Sequence, residues 1–314
     1  MGNEFLPLET QWGGWEQYFW MLPAHYQRLY SDTELSLLLH QYCTSPGREE
    51  CLEVICQPDT ASGILKLEPL TWDSKHFGVR MWVLHVHCPS QMRAEVVLSG
   101  LYRLFERMSE EIDYVVCQVV TQAIEVFNAL MMFGFVLKDQ KMAMGRKVTR
   151  EHANTSRVLF HSRPYHAKDY SAIMQLVSCA SFPSRFSREP KLEARRVKAM
   201  YQEWLNGLIG APDTDRVIAI VERSGGVVAF AAAGVVMQPW MMSRHRIMTR
   251  ALAVCAPGYA GAGLAAGAGL LQQAAGKADY AEMIISLNNR VMQRGLSYLG
   301  MHLDYSQYVL SKWL

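Results

Sequence analysis

The residues with the clearest chemical potential lie in the stretch "ALAVCAPGYAGAGLAAGAGLLQQAAG", from Ala251 to Gly276. It contains ten alanines, six glycines and no charged side chain. A membrane-spanning helix needs about 20 predominantly large apolar residues, whereas this stretch is rich in small ones and is interrupted by Pro257-Gly258. We therefore expect a buried strand up to Ala256, a tight turn from Pro257 to Leu264, and a helix of small residues that begins at Ala265 and ends at Gly276.

A glycine turn that leads into a helix predicts an anion-binding site made of backbone. The first N–H groups of a helix lack intrahelical acceptors, and the helix dipole is positive at that end. Glycine lets a phosphate approach because it has no side chain in the way. The turn lacks the Gly-Lys-Ser/Thr ending of a P-loop, and no suitably spaced acidic residue supports a Rossmann fingerprint. The residues alone indicate a nucleotide or diphosphate site of unspecified type.

This turn resembles motif A of the GNAT acyltransferase superfamily, a strand followed by P-x-x-(Arg/Gln)-x-x-Gly-x-(Gly/Ala). Without gaps, Ala260 takes the Arg/Gln position, Gly263 the invariant glycine and Ala265 the closing small residue. The downstream segment "AEMIISLNNRVMQRGLSYLGM" is similar to the family's strand, asparagine and helix, with Asn289 at the start of the helix. Leu296 stands where these enzymes commonly carry the tyrosine that protonates the departing thiolate.

The resemblance implies acetyl-CoA or another acyl-CoA as cosubstrate, and direct attack of an amine on its thioester. It implies no covalent enzyme intermediate and no metal. Because Leu296 replaces the acid, the catalytic residues stay open, with Gln293 and Tyr305 as tentative candidates. The implied cosubstrate-binding residues are Val254, Cys255, Tyr259, Ala260, Gly261, Ala262, Gly263, Leu264, Ala265 and Asn289.

Two further segments, "PLTWDSKHFGVRM" and "SRFSREPKLEARRVKAMYQEW", are similar to passages of the dTDP-fucosamine acetyltransferases and their relatives. Those are GNAT proteins in two parts, with a small N-terminal domain. The candidate residues on the substrate side are Trp72, Asp73, Arg185 and Phe186. Arg185 suits the phosphate of a sugar nucleotide, whereas core packing explains the two aromatic side chains equally well and Asp73-Ser74 is also typical of a turn.

Two parts of the chain match at an offset of 166 residues without a gap, which favours an internal duplication. Each copy is predicted to be a strand, a helix that ends in glycine, and a further extended run. An amphipathic helix, rather than a glycine turn, precedes the strand of the first copy. The matched residues are Asp113-Tyr114 with Asp279-Tyr280, Gly134 with Gly300, Met144 with Leu310 and Arg146 with Lys312.

These patterns predict a mixed α/β (α+β mixed sheet) protein with two domains. The resemblance implies that residues 1–150 are an N-terminal GNAT-like half-domain without the cofactor loop, and that residues 151–314 are a GNAT domain that binds acyl-CoA and carries catalysis. The boundary is expected in the polar run Lys147–Arg157. The predicted order after it, strand, two helices, hairpin, strand, glycine turn, helix, strand, helix, strand, is the element order that the resemblance implies.

The composition of the chain indicates which partners and which cell compartment to expect. Half of the 314 residues are apolar, 19% are charged and the formal net charge is +2, so a sizeable core is expected and neither nucleic acid nor an acidic membrane surface is favoured as partner. The seven cysteines contain no CxxC pair, which favours reduced thiols in a cytoplasmic protein. No signal peptide is visible at the N-terminus.

The leading hypothesis is an N-acyltransferase that moves an acyl group, in the first instance acetyl, from CoA to an amine of a small molecule. An amino sugar or a biosynthetic intermediate is the expected acceptor. One alternative takes the acyl group from an acyl carrier protein, because Ala260 removes a contact to the nucleotide part of CoA. Another is a non-catalytic CoA-binding protein, since Leu296 removes the acid. The oligomeric state stays open.

Overall fold

The computed structural model describes residues 51–55, 63–89, 92–149, 160–237 and 245–314. These residues form eleven strands and seven α-helices. They divide into two compact units, of which the first runs to Gln140 and includes Tyr305–Leu314, and the second comprises Lys141–Asp304. The predicted boundary between residues 150 and 151 lies outside the described residues, and the structural division falls earlier.

The first unit is a sheet with helices against it. Its strands lie in the order β1-β2-β3-β4, with β2 antiparallel to β3 and β3 parallel to β4. Alternate strand residues and one face of α2 form its core, in which Leu65, Leu101 and Val115 are fully buried. The elements are β1 (Cys51–Ile55), β2 (Gly63–Pro69), α1 (Thr71–Phe77), β3 (Met81–His87), α2 (Ala94–Met108), β4 (Tyr114–Val120) and α3 (Ile124–Met132).

The second unit contains the predicted glycine turn. Its strands lie in the order β10-β9-β8-β7-β6, and β7 and β8 form the hairpin predicted around Ser224-Gly225. No helix among the described residues has both the length and the hydropathy of a membrane-spanning segment. The elements are β6 (Ser162–Pro164), α4 (Tyr170–Cys179), α5 (Ala194–Gly210), β7 (Arg216–Arg223), β8 (Gly226–Val236), β9 (Ile247–Cys255), α6 (Ala262–Ala274), β10 (Tyr280–Ser286) and α7 (Arg290–Tyr298).

Two long strands, β5 (Val136–Lys147) and β11 (His302–Trp313), cross the division between the units. The second half of β5 pairs antiparallel with β10, and the second half of β11 pairs antiparallel with β4. Each unit therefore completes its sheet with a strand that a single cut of the chain would assign to the other. The division into 1–150 and 151–314 stays a prediction, and the pairing adds that backbone hydrogen bonds attach the last ten residues to the first unit.

The duplication predicted from the sequence is present in the elements themselves. Strand β4, helix α3 and strand β5 recur as β10, α7 and β11, and both bounds of each element recur 166 residues later. The register of β4 with β11 is likewise the register of β10 with β5, since Tyr114 pairs with Trp313 and Tyr280 with Lys147. The two copies thus share backbone pairing as well as element order.

The C-terminal ends of α3 and α7 are held by equivalent cations. Lys312 Nζ donates to the backbone oxygen of Phe133 at 2.5 Å, and Arg146 Nη1 donates to that of Leu299 at 2.6 Å. A cation near the last carbonyls satisfies orphan acceptors and complements the negative end of the helix dipole. The match of Arg146 with Lys312 in the sequence therefore has a structural cause.

A β-bulge interrupts β9 where it pairs with β8. The register shifts between Ala232 and Gly234, so that Arg250 and Ala251 lie opposite one residue of β8. Arg250 has φ +56°, a left-handed conformation that costs roughly 1–2 kcal/mol for a residue with a Cβ. A bulge bends its strand and increases the local twist. In the second unit, the bulge therefore bends β9 between its first and second halves.

The bulge generates a prediction about stability. At an ordinary strand position glycine is less stable than alanine by roughly 0.5–1 kcal/mol, but at φ +56° the order should invert. We expect Arg250→Gly to be more stable than Arg250→Ala by about 1 kcal/mol, measured by urea unfolding of both variants. An alanine variant at least as stable as the glycine variant contradicts the left-handed conformation at this residue.

Candidate functional site

The two parallel strands β9 and β10 separate soon after they begin. Within the continuously described range 245–314, they are paired only at their first two residues. Beyond that point β9 stays paired with β8 up to Cys255, and β10 stays paired with β5 up to Ser286. We call the gap between residues 249–255 of β9 and 282–286 of β10 the fork. The fork leaves one edge of β9 able to bind an extended ligand.

The ladder between β8 and β9 determines which backbone groups face the fork. The N–H of Ala256 donates to the backbone oxygen of Val228 at 2.8 Å. Hydrogen-bonded and non-hydrogen-bonded pairs alternate in an antiparallel ladder, so the N–H of Val254 also faces β8. The N–H groups of Ala253 and Cys255 face the fork. The N–H of Val254, which was predicted to contact the cosubstrate, therefore faces β8, whereas the N–H of Ala253 faces the fork.

The fork leads to the glycine turn between β9 and α6. Gly258 and Gly261 have φ +86° and +91°, conformations that a side chain would strain. Pro257, Gly258, Ala260 and Gly261 are exposed, whereas Ala262 and Ala265 are buried against the core. Helix α6 begins at Ala262, three residues before the predicted start. The turn is therefore shorter than expected and open to solvent.

The start of α6 carries a cluster of backbone donors. Ala262 N donates to Tyr259 O at 3.0 Å, and Ala265 N donates to Gly261 O at 3.1 Å. The N–H groups of Ala260, Gly261 and Leu264 donate to no acceptor in the part of the chain that the structure describes. Because the helix dipole adds positive potential there, the cluster suits an anion such as a diphosphate.

A buried polar pair lies at the base of the fork. Thr249 Oγ1 donates to Glu282 Oε1 at 3.1 Å, and the two residues are 8% and 7% exposed. Sequence reasoning missed both residues. The available signal was a carboxylate within the apolar strand "YAEMIIS", since a fully buried glutamate is rare.

No family model and no curated protein matches this chain. Solved structures do. A GCN5-related N-acetyltransferase from Sphaerobacter thermophilus is 12% identical, with 93% of this chain and 92% of that chain covered at a TM-score of 0.54. One from Kribbella flavida is 13% identical, with 89% and 94% covered at 0.51. A tandem GNAT protein from the clavulanic acid biosynthesis pathway is 10% identical, with 96% and 94% covered at 0.50.

The chain has the GNAT fold. The second unit contains the strand, glycine turn, helix, strand and helix in the order that the sequence resemblance implied. The match with a tandem GNAT protein over almost the whole of both chains agrees with the duplication seen here. In the first unit the equivalent strands β3 and β4 remain paired from Met81–Tyr114 to Leu84–Cys117. The open fork is thus a property of the second GNAT unit.

Asn289 opens α7, as the GNAT resemblance implied. Its Oδ1 accepts a hydrogen bond from Met292 N at 3.2 Å, which caps the helix. Asparagine is among the preferred N-cap residues because its side-chain oxygen satisfies an orphan N–H. The cap occupies that oxygen, so the Nδ2 group is the part of this side chain that can donate to a ligand.

The position of the usual GNAT acid is apolar in space as well as in sequence. Leu296 is 4% exposed and packs in the core of the second unit. Gln293 Nε2 donates to the backbone oxygen of Leu287, so its amide holds the turn before α7. The other tentative catalytic residue, Tyr305, lies in the first unit. The structure does not bring Gln293 and Tyr305 into one unit.

The residues predicted to contact substrate are also divided between the units. In the first unit, Trp72 is 48% exposed and stacks on His76, with ring centroids 5.1 Å apart. Asp73 lies in the first turn of α1, not in the turn considered from the sequence. In the second unit, the Arg185 guanidinium lies over the Phe186 ring, 4.3 Å from its centroid, in the segment between α4 and α5.

Cys255 sits between the fork and the turn. Its Sγ donates to Tyr259 O at 3.2 Å. Partial burial raises the pKa of the Cys255 thiol above its usual value, and the N–H of Gly263 opposes that shift. The thiol is therefore protonated at neutral pH, a state that suits a strand residue better than a nucleophile.

This raised pKa predicts the pH dependence of alkylation. Only the thiolate reacts, so the rate at which iodoacetamide labels Cys255 should rise about tenfold per pH unit and continue to rise through pH 9. Mass spectrometry of the tryptic peptide gives the rate. The buried Cys117, whose pKa is raised by burial, should stay unlabelled while the protein is folded. A plateau for Cys255 below pH 8 contradicts the assignment.

Proposed function

We propose that the chain is an N-acyltransferase that transfers an acyl group, in the first instance acetyl, from CoA to an amine of a small molecule. The observation that carries the proposal is the fork between β9 and β10, which leads to the exposed donor cluster at the start of α6. The diphosphate of CoA binds the N–H groups of Ala260, Gly261 and Leu264. The pantetheine arm pairs with the edge of β9, through the N–H groups of Ala253 and Cys255.

For this reaction the protein must position the amine next to the thioester and polarise the thioester carbonyl. The amine nitrogen attacks the thioester carbon, the C–S bond breaks, and its electron pair leaves with sulfur, which takes up a proton. Backbone N–H groups that face the fork stabilise the developing oxyanion, and two bound substrates react as if at high concentration. The protonated state of Cys255 supports direct attack without an acyl-enzyme.

The acceptor that we propose is an amino sugar or a biosynthetic intermediate. The support is the likeness of "WDSKHFG" and of the segment around Arg185 to amino-sugar acetyltransferases. Arg185 would bind an anionic part of the acceptor, with Phe186 beside it. A cytoplasmic site of action agrees with this chemistry, since acyl-CoA is made and used there.

Two alternatives have specific support. Ala260 is exposed and has no group that reaches a nucleotide, which favours an acyl carrier protein as donor. The apolar burial of Leu296 favours a protein that binds CoA without turnover. The first alternative predicts transfer from an acyl carrier protein and none from free acyl-CoA, whereas the second predicts CoA binding with every amine unreactive.

Gly263→Glu tests the donor site without removing the fold. A Cβ at Gly263 meets Cys255 Cβ at 3.7 Å, an ordinary contact, and an acidic residue in the first turn favours a helix. Next to a diphosphate, however, the new carboxylate is repelled. We expect at least a tenfold loss of acetyl-CoA affinity in isothermal titration, with an unchanged melting temperature.

Gly207→Ala in α5 is the matched control, because a Cβ there meets no atom within 4 Å. This variant should bind acetyl-CoA as the unaltered protein does. Equal affinity of Gly263→Glu and Gly207→Ala would remove the turn from the donor site. Absence of binding by the unaltered protein, for acetyl-CoA and for longer acyl-CoAs, would end the proposal.

Ala260→Arg tests the site by gain. Arginine restores the side chain that the resemblance places at this exposed position, and a charge-assisted hydrogen bond to phosphate contributes about 1.5 kcal/mol. We therefore expect roughly tenfold tighter binding of acetyl-CoA. Ala260→Gln should give a smaller gain. No gain from either variant, together with transfer from an acyl carrier protein, would favour the carrier as donor.

A further inference from the structure

The Thr249–Glu282 pair is at the point where β9 and β10 stop pairing. Glu282 is 7% exposed and lies on the face of β10 that also carries Tyr280, whose hydroxyl donates to Asp304 Oδ2 at 2.6 Å. The opposite face of β10, with Ala281 and Met283, belongs to the core under α6 and α7. A carboxylate is thus placed on one side of the fork, facing away from the helix that carries the donor cluster.

The first unit provides an internal control for this pair. Strands β3 and β9 begin 166 residues apart, as do β4 and β10. The residues equivalent to Thr249 and Glu282 are therefore Val83 and Val116, which pair in register. Val116 is fully buried. An apolar pair occupies this point where the strands stay together, and a polar pair occupies it where they separate.

The fold therefore does not require the polar pair. Burial of a carboxylate costs free energy unless hydrogen bonds or charges compensate it, and two valines serve the same backbone position in the unit that has no glycine turn. The polar residues occur in the unit that has both the fork and the donor cluster. Their distribution follows the candidate site and not the architecture.

We propose that Glu282 is the catalytic residue that binds the acceptor ammonium group and removes its proton, and that Thr249 holds the Glu282 carboxylate in place. This inference rests on the proposed acyl transfer. It assigns the acceptor as a primary or secondary amine that arrives as a cation. A carboxylate at the base of the fork selects such a substrate by charge and places its nitrogen beside the thioester.

The proton balance is complete with this assignment. The ammonium gives one proton to the Glu282 carboxylate and becomes a neutral nucleophile. Its nitrogen then forms the N–C bond as the C–S bond breaks, and the electron pair leaves on sulfur. When the amide forms, the second nitrogen proton passes through solvent to the thiolate, which leaves as a thiol. Glu282 then releases its proton to solvent and is ionised again. No metal or oxidant is needed.

The test compares Glu282→Gln with the unaltered protein. Acetyl-CoA is offered with a panel of primary alkylamines, amino acids, amino sugars and hydrazine, and free thiol is measured. We expect Glu282→Gln to lower kcat/KM for the best alkylamine by roughly 10²–10⁴-fold, while the Kd for acetyl-CoA changes less than twofold. Hydrazine, a weaker base that carries less proton at neutral pH, should lose less.

A double variant tests whether a loss of turnover comes from a loss of folding. Thr249→Val with Glu282→Val copies the pair that the first unit already contains, so it should fold, bind acetyl-CoA and lack turnover. Glu222→Gln is the matched carboxylate control, because Glu222 on β7 pairs with Arg163 on β6, and Arg163 keeps Asp169 as a partner. Its turnover should equal that of the unaltered protein.

Each other outcome is decisive. Turnover of Glu282→Gln equal to that of the unaltered protein overturns this assignment alone. Equal losses in donor affinity and in turnover make Glu282 structural and also overturn it. Donor binding without turnover on any amine overturns it in favour of the binding protein. Absence of acetyl-CoA binding by the unaltered protein overturns the proposed function itself, and this inference with it.

Discussion

The separation of β9 from β10 is the constraint on which the second unit depends. Backbone N–H and C=O groups that lose a ladder partner cost free energy unless something else binds them. Three structural features accompany the separation of the two strands. The bulge at Arg250 bends β9, the two glycines with positive φ turn the chain, and α6 begins with donors that have no acceptor among the described residues. Such an arrangement is stable when a ligand supplies the missing partners.

The duplication separates what the fold needs from what the site needs. Both units keep the strand, the helix with its cation on the last carbonyl, and the exchanged terminal strand. Only the second combines separated strands with a glycine turn, as far as the described residues go. In the first, β3 and β4 continue side by side and valines fill the base. One copy is therefore closed, and the other is open to a ligand.

In the second unit, positive and negative electrostatic potential lie on opposite sides of the sheet. Backbone donors at the start of α6 favour an anion, whereas the carboxylate of Glu282 favours a cation. An acyl-CoA and an amine have this pair of charges. In the proposed reaction, Leu296 in place of the usual tyrosine would leave the departing thiolate without the acid that the GNAT resemblance implied. Because a thiolate is a tolerable leaving group, the attacking amine is the partner that most needs a proton carrier.

The sequence by itself determined the parts that depend on local chemistry. The small residues from Ala251 to Gly276, broken by Pro257-Gly258, predicted a strand, a turn and a helix, because glycine and proline restrict local backbone geometry. The spacing of Asp113, Gly134 and Arg146 against Asp279, Gly300 and Lys312 predicted the duplication. The GNAT fold was implied by the resemblance of the turn to motif A, and it agrees with the solved structures.

Tertiary structure decided the rest, because strand pairing joins residues far apart in the chain. No local pattern in the sequence shows that β11 pairs with β4 and belongs to the first unit. The ladder between β8 and β9 decides which N–H groups face the fork, and it turns the N–H of Val254 towards β8. Thr249 and Glu282 are 33 residues apart, and only the meeting of two parallel strands made them neighbours.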